Sequence, residues 1–107
     1  MAAVDAVAPA QGYVTTSQAA IYTNSSGSTV IIPENGLEFI NANAATQTLL
    51  IYLNRDGTAR LLARAVLEQF WRYVHDAKIV LLNGDIIEAV TTTSSAVSFQ
   101  VSGGEEQ

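Results

Sequence analysis

Short apolar runs alternate with clusters of turn-forming residues along this chain, and the spacing is that of strands. The runs fall at 12–16, 19–23, 29–32, 37–42, 47–53, 78–82, 86–91 and 96–102, rich in Val, Ile, Thr, Tyr and Leu. Between them stand Asn24-Ser25-Ser26-Gly27-Ser28, Pro33-Glu34-Asn35-Gly36, Asn41-Ala42-Asn43-Ala44, Asn54-Arg55-Asp56-Gly57 and Asn83-Gly84. Gly and Asn take positive φ easily, and Pro removes a ladder donor, so each cluster ends one strand and turns the chain toward the next. Strand-length runs at about 8–12-residue spacing predict an all-β fold, an antiparallel sandwich of jelly-roll type with about eight short strands.

Two stretches depart from simple alternation. Leu49 to Leu53 is apolar without a break, the pattern of a strand covered on both faces. In TARLLARAVLEQFWRYVHDAKIVL, Arg60, Arg64, Glu68, Arg72 and Asp76 recur every fourth position. On a helix that spacing opposes a charged stripe to Leu62, Val66, Phe70 and Val74, and Ala, Leu, Arg and Glu favour helix in the first half, so a helix over 59–68 is one reading. Four is also twice the strand period. The strand reading puts Leu61, Ala63, Ala65, Leu67, Trp71 and Tyr73 on one face with a turn near Glu68-Gln69, and it is the preferred one.

With 107 residues the chain is expected to form one domain over 12–104, between an N-terminal arm at 1–11 and an acidic tail at 105–107. The arm is Ala-rich and broken by Pro9, without periodicity of its own. A net charge of −5 gives no reason to approach nucleic acid, and no run reaches the roughly 18 apolar residues of a membrane helix. The N-terminus lacks the basic and apolar regions of a signal peptide, so synthesis in the cytoplasm is expected. Cys is absent, which removes disulfides and thiolate metal sites. Charged residues are only 14% of the chain, against roughly a quarter in ordinary soluble domains. Such a neutral polar surface packs against another subunit without stranding ions, and a small homo-oligomer, most plausibly a trimer, is the expectation.

Catalytic and ligand sites are not legible. His75 beside Asp76 is a lone imidazole without a third group, and catalysis needs a positioned set. Asn54-Arg55-Asp56-Gly57 resembles part of a calcium loop, but Ala63 and Arg64 stand where the distal Glu is required, so a turn suffices. Asp85 and Glu88 read as solvated sheet-edge charges rather than a glycosidase pair. Asn24-Ser25-Ser26 matches a glycosylation sequon but reads as a turn. No catalytic, cofactor or metal residue is therefore assigned, and no enzyme activity is expected. Phe70, Trp71 and Tyr73 form the aromatic concentration, with core packing the simpler role and an interface hot spot the other. Together with Val4, Val7 and Pro9 of the arm they are the candidate contact residues.

The segments AIYTNSSGSTVII, LLIYLNRDGTARLL and IVLLNGDIIEAVTTTSSAVSFQVSG resemble a family of small tailed-phage virion proteins. The matching positions are Tyr22-Thr23, Gly27 with Thr29, Asn54 to Gly57, Leu82, Gly84-Asp85, Ile87, Ala89, Val97 and Ser102-Gly103. The chain differs in carrying Asn24-Ser25 where that family usually has Pro. The resemblance implies a non-enzymatic β-sandwich in a virion: a capsid decoration or cement protein that binds the major capsid protein or another virion protein. The alternatives are a head-tail connector, a collar or fibre-base component, or a glycan-binding attachment module with Trp71 and Tyr73 exposed. In each, Asn83-Gly84-Asp85 turns the chain and the hydroxyls of Thr91 to Ser95 cap backbone groups.

Overall fold

A computed structural model describes residues 4–6, 10–102 and 104–106. Val7 and Pro9 of the expected arm lie outside them. Within the described residues are twelve strands: β1 (Val4–Ala6), β2 (Ala10–Tyr13), β3 (Ala19–Thr23), β4 (Val30–Ile32), β5 (Leu37–Asn41), β6 (Gln47–Arg55), β7 (Thr58–Leu67), β8 (Arg72–His75), β9 (Ile79–Leu81), β10 (Ile86–Thr91), β11 (Val97–Val101) and β12 (Gly104–Glu106). Parts of the stretches expected as arm and tail are thus strand: β1 pairs with β12, and Gln11 lies in β2.

The pairing order gathers the twelve elements into eight long strands. One sheet has the order β3-β10-β6-β7; two others have the orders β2-β11-β5-β8 and β1-β12-β4-β9. These last two are halves of one long sheet, because β1 precedes β2, β12 follows β11, β4 precedes β5 and β9 follows β8, each in the matching position. Four long runs, each broken once, face four unbroken ones. Every pairing is antiparallel. Two four-stranded sheets of interleaved order, joined across rather than along the sandwich, make the expected jelly roll.

Alternation fills the core. Leu37, Phe39 and Asn41 of β5, Leu49 and Ile51 of β6, Ile79 and Leu81 of β9, and Ile87 and Ala89 of β10 are buried, while their strand neighbours are more exposed. Phe39 is the largest fully buried side chain, and Tyr73 packs beside it with ring centroids 6.4 Å apart.

The helix over 59–68 does not form. Residues 59–67 lie in β7, hydrogen-bonded to β6 from Thr58 opposite Arg55 to Leu67 opposite Gln47, and Glu68 begins the turn that follows. Long-range burial decides against helix propensity here: Ala63, Ala65 and Leu67 are worth more against the core than in a charged-stripe helix with nothing to cover it. The β6–β7 connection places Asp56 at φ 56° and Gly57 at φ 81°, the two positive angles of a type I′ turn, which matches the twist of the strands it joins.

Within β7 the expected one-face set is corrected at Leu61. Ile51 opposes Ala63 but Tyr52 opposes Leu61, so Leu62 is the extra residue of a bulge. The bulge reverses the alternation: Leu62 packs on the core, whereas Leu61 is 52% exposed.

Candidate interaction surfaces

The β7–β8 turn carries the aromatic residues singled out from the sequence, and it is built by a buried asparagine. Asn41 is fully buried; its amide donates to the carbonyl oxygens of Leu67 (2.8 Å) and Ala45 (3.1 Å), and its Oδ1 accepts from the Asn43 N–H (2.9 Å). Its backbone accepts from the Phe70 N–H (2.6 Å) and donates to the Trp71 carbonyl (3.0 Å). Phe70 thereby holds φ 65°, an uncommon angle for a bulky residue, and the Trp71 N–H closes the turn on the Glu68 carbonyl.

The result presents Phe70 and Trp71 outward, 73% and 54% exposed. Trp71 is therefore not the core residue that its pattern suggested. A strand alternation extended through the turn would bury it with Tyr73, but the turn breaks that alternation. Tyr73 does face inward, half-buried, with its hydroxyl 2.9 Å from His75 Nδ1. Burial raises the Tyr73 phenol pKa, helped by the charge of Asp76. Val4 lies in β1, a strand at the edge of its sheet.

A second asparagine repeats the device. Asn24, also fully buried, donates to Ser28 (2.8 Å) and Leu81 (2.9 Å) carbonyls and accepts from the Ser26 N–H, the same i+4 and i+2 pattern. Its amide nitrogen is occupied by these bonds, so the sequon is a turn. Gln47 plays a similar part for the hydroxyl tract: its Oε1 accepts from the Thr93 N–H and the Thr91 hydroxyl, while the Thr92 hydroxyl accepts from the Thr48 N–H.

Asp85 is corrected from a solvated edge charge to a buried one. Its Oδ2 accepts from Arg55 Nε (2.9 Å), Arg55 Nη2 (2.6 Å) and the Leu82 N–H (2.8 Å). Arg55 holds the Asp85 carboxyl below the usual carboxylate range; burial opposes the shift and the Leu82 N–H assists it. Glu88 instead faces outward and accepts from Gln18 Nε2. No group of three or more His, Asp or Glu suited to a metal occurs among the described residues.

Apart from Tyr13 on β2, the exposed large apolar residues among the described residues fall in the same stretch of the chain as the positive charges. Leu61, Val66, Phe70, Trp71, Val80 and Leu82 are all at least 42% exposed, and they lie on β7, the turn after it, and β9 with the residue that follows. The five cations, Arg55, Arg60, Arg64, Arg72 and Lys78, fall in the same stretch of sequence with three anions; the remaining seven anions lie outside it, and of these Asp85 and Glu38 reach back to pair with Arg55 and Arg72. Strand β7 is also a sheet edge, ten residues long and, among the described residues, paired only to β6. On the outer face beside it, Leu50 and Tyr52 of β6 and Val90 of β10 are only half-buried, so the apolar run at 49–53 has protein cover on one face.

No protein-family model matches the chain, and no curated protein does. Among solved structures it is similar to a subunit of Bacillus endospore appendages, described as forming a novel family of disulfide-linked pili. The TM-score is 0.53 at 14% identity, over 97% of this chain and 87% of that one. At this identity the likeness shows a shared fold.

Proposed function

We propose that this chain is a non-enzymatic structural subunit that assembles with copies of itself, the β7 edge of one copy seating on the β2/β3 edge of the next. The observation that carries this reading is the open β7 edge, ten residues long and itself carrying exposed Leu61 and Val66. An unpaired strand edge of that length can recruit another strand; neither Pro nor shortness blunts this one, and the Leu62 bulge with exposed Arg60 and Arg64 limits where along it an incoming strand can pair. Charge agrees: the cations fall in the stretch from Arg55 to Lys78, and the rest of the chain is acidic. The two edges differ, so the contact is head-to-tail; it closes into a ring such as a trimer only if the rotation per subunit allows, and otherwise yields a filament.

The fold likeness favours the filament, because the resembled protein is a pilus subunit. Cys is absent here, so such a polymer would be held without disulfides. The setting on a virion, on the capsid surface or in the tail, is a further proposal that rests on the residues matched to tailed-phage proteins. A major capsid protein would then be the competing occupant of the edge.

Sedimentation and negative-stain microscopy of the purified chain test the reading. The expected result is concentration-dependent assembly that Leu61→Lys with Val66→Lys abolishes while the circular dichroism spectrum is kept. A monomer at high concentration, or assembly indifferent to both substitutions, would refute it.

A further inference from the structure

The outer face of the β2-β11-β5-β8 sheet holds a trough of about 450 Å³ that adjoins the β2 edge of the assembly reading but opens on the sheet face, not along the edge. Two rows of side chains wall it. Gln11, Gln100 and Glu38 stand in register across three strands, and two residues along each strand Tyr13, Ser98 and Ile40 form the second row. Two residues of strand separate the rows by about 7 Å, and two strand spacings make the trough about 10 Å long. Its floor is the backbone of Gly12 and Phe99, whose ring packs inward on the core. A Cβ at position 12 would point the same way, into the core, and meet that ring at 3.3 Å, so glycine leaves room for the Phe99 ring beneath the floor.

The wall chemistry is specific. Tyr13 is 60% exposed and offers an aromatic plane. Among the described residues, none hydrogen-bonds the side chains of Gln11, Ser98 or Gln100, which leaves two amides and a hydroxyl at the trough. Glu38 is held only by Arg72 at 3.9 Å, an open pair that leaves its oxygens free to accept. A nucleic acid or phosphate would meet Glu38 in an acidic chain, and an apolar partner would bury unsatisfied amides.

We propose that this trough binds a neutral pyranose saccharide. The ring's C–H face stacks on Tyr13, the paired amides meet adjacent hydroxyls as donors and acceptors, and the Glu38 carboxylate accepts from two neighbouring hydroxyls. The length suits one to two sugar rings of a longer glycan. This platform is not the aromatic group marked out from the sequence: neither Trp71 nor Tyr73 lines the trough.

Saturation-transfer difference NMR on the full chain, which tolerates large assemblies, tests this with the methyl glycosides of glucose, galactose, mannose and N-acetylglucosamine. At least one should show saturable transfer to its C–H protons. Tyr13→Ala should weaken it by about tenfold or more, Gln100→Ala and Glu38→Gln by roughly threefold to tenfold, and Tyr13→Phe and Trp71→Ala should leave it unchanged. Absence of transfer from all four sugars overturns the proposal, as does transfer that survives Tyr13→Ala or is lost on Trp71→Ala. Because assembly is read by sedimentation of the same variants, loss of sugar binding with assembly intact separates the two readings; loss of both on Tyr13→Ala assigns the trough to a second copy and overturns this one.

Discussion

Replacing Asn41 by Ala removes the group that ties the end of β5 to the β7–β8 turn. Three side-chain hydrogen bonds go, to the Leu67 and Ala45 carbonyls and from the Asn43 N–H. The Leu67 carbonyl belongs to a buried residue, and losing its donor costs about 1–3 kcal/mol; the other two lie near solvent and cost roughly 0.5–1 kcal/mol each. A total of about 2–5 kcal/mol corresponds to a fall in Tm of roughly 8–20 °C for a domain of this size. Urea unfolding followed by tryptophan fluorescence measures it, and Trp71 itself reports on the turn. Asn24→Ala, which breaks the same pattern at the other end of the fold, should cost a similar amount. Asn43→Ala removes only an exposed bond to the Ala45 N–H and should cost under about 1 kcal/mol. A loss below about 0.5 kcal/mol for Asn41→Ala would refute the claim that this amide organises the turn.

Asp85→Asn should destabilise by about 1–3 kcal/mol at neutral pH by weakening charge-assisted bonds. Since the folded-state pKa of Asp85 is lowered, its contribution is complete above the unfolded value near 4 and is lost as pH falls through the folded one, so thermal melts from pH 7 to 2 should show a shallower acid decline in the variant. Gly57→Ala meets no neighbouring atom but must hold φ 81°, and equilibrium unfolding should show a loss of about 1–2 kcal/mol. Trp71→Ala should change subunit stability by less than about 1 kcal/mol, since the ring is over half exposed, while weakening assembly; a loss of 3 kcal/mol or more in the dispersed subunit would mean that the ring is core.

Strand positions were legible because the alternation and the turn clusters agree, as at Leu37–Asn41 and Ile86–Thr91. Residues 59–68 were ambiguous because a four-residue charge spacing satisfies both periods, and only β6, paired through the hairpin, resolves it. The Leu62 bulge left no mark in the pattern, so Leu61 was assigned to the wrong face. Asn24 and Asn41 read as turn formers, but nothing local says that a turn residue is buried and bonded to a strand 57 or 26 positions away. Asp85 likewise needs Arg55, which pairing across β10 and β6 brings near. The exposure of Trp71 depends on the positive φ at Phe70, a conformation that its residue type does not announce. The saccharide trough was invisible because its rows come from three strands distant in sequence.

Backbone hydrogen exchange of the full chain at low and high concentration, compared residue by residue, tests the central claim most directly. On assembly, the β7 amides that point away from β6 should gain protection, together with those on the open side of β2 or β3, while the β10 and β5 amides inside the sheets stay as they were. Protection that does not change with concentration, or that rises on the sheet faces and spares the β7 edge, would contradict assembly through that strand.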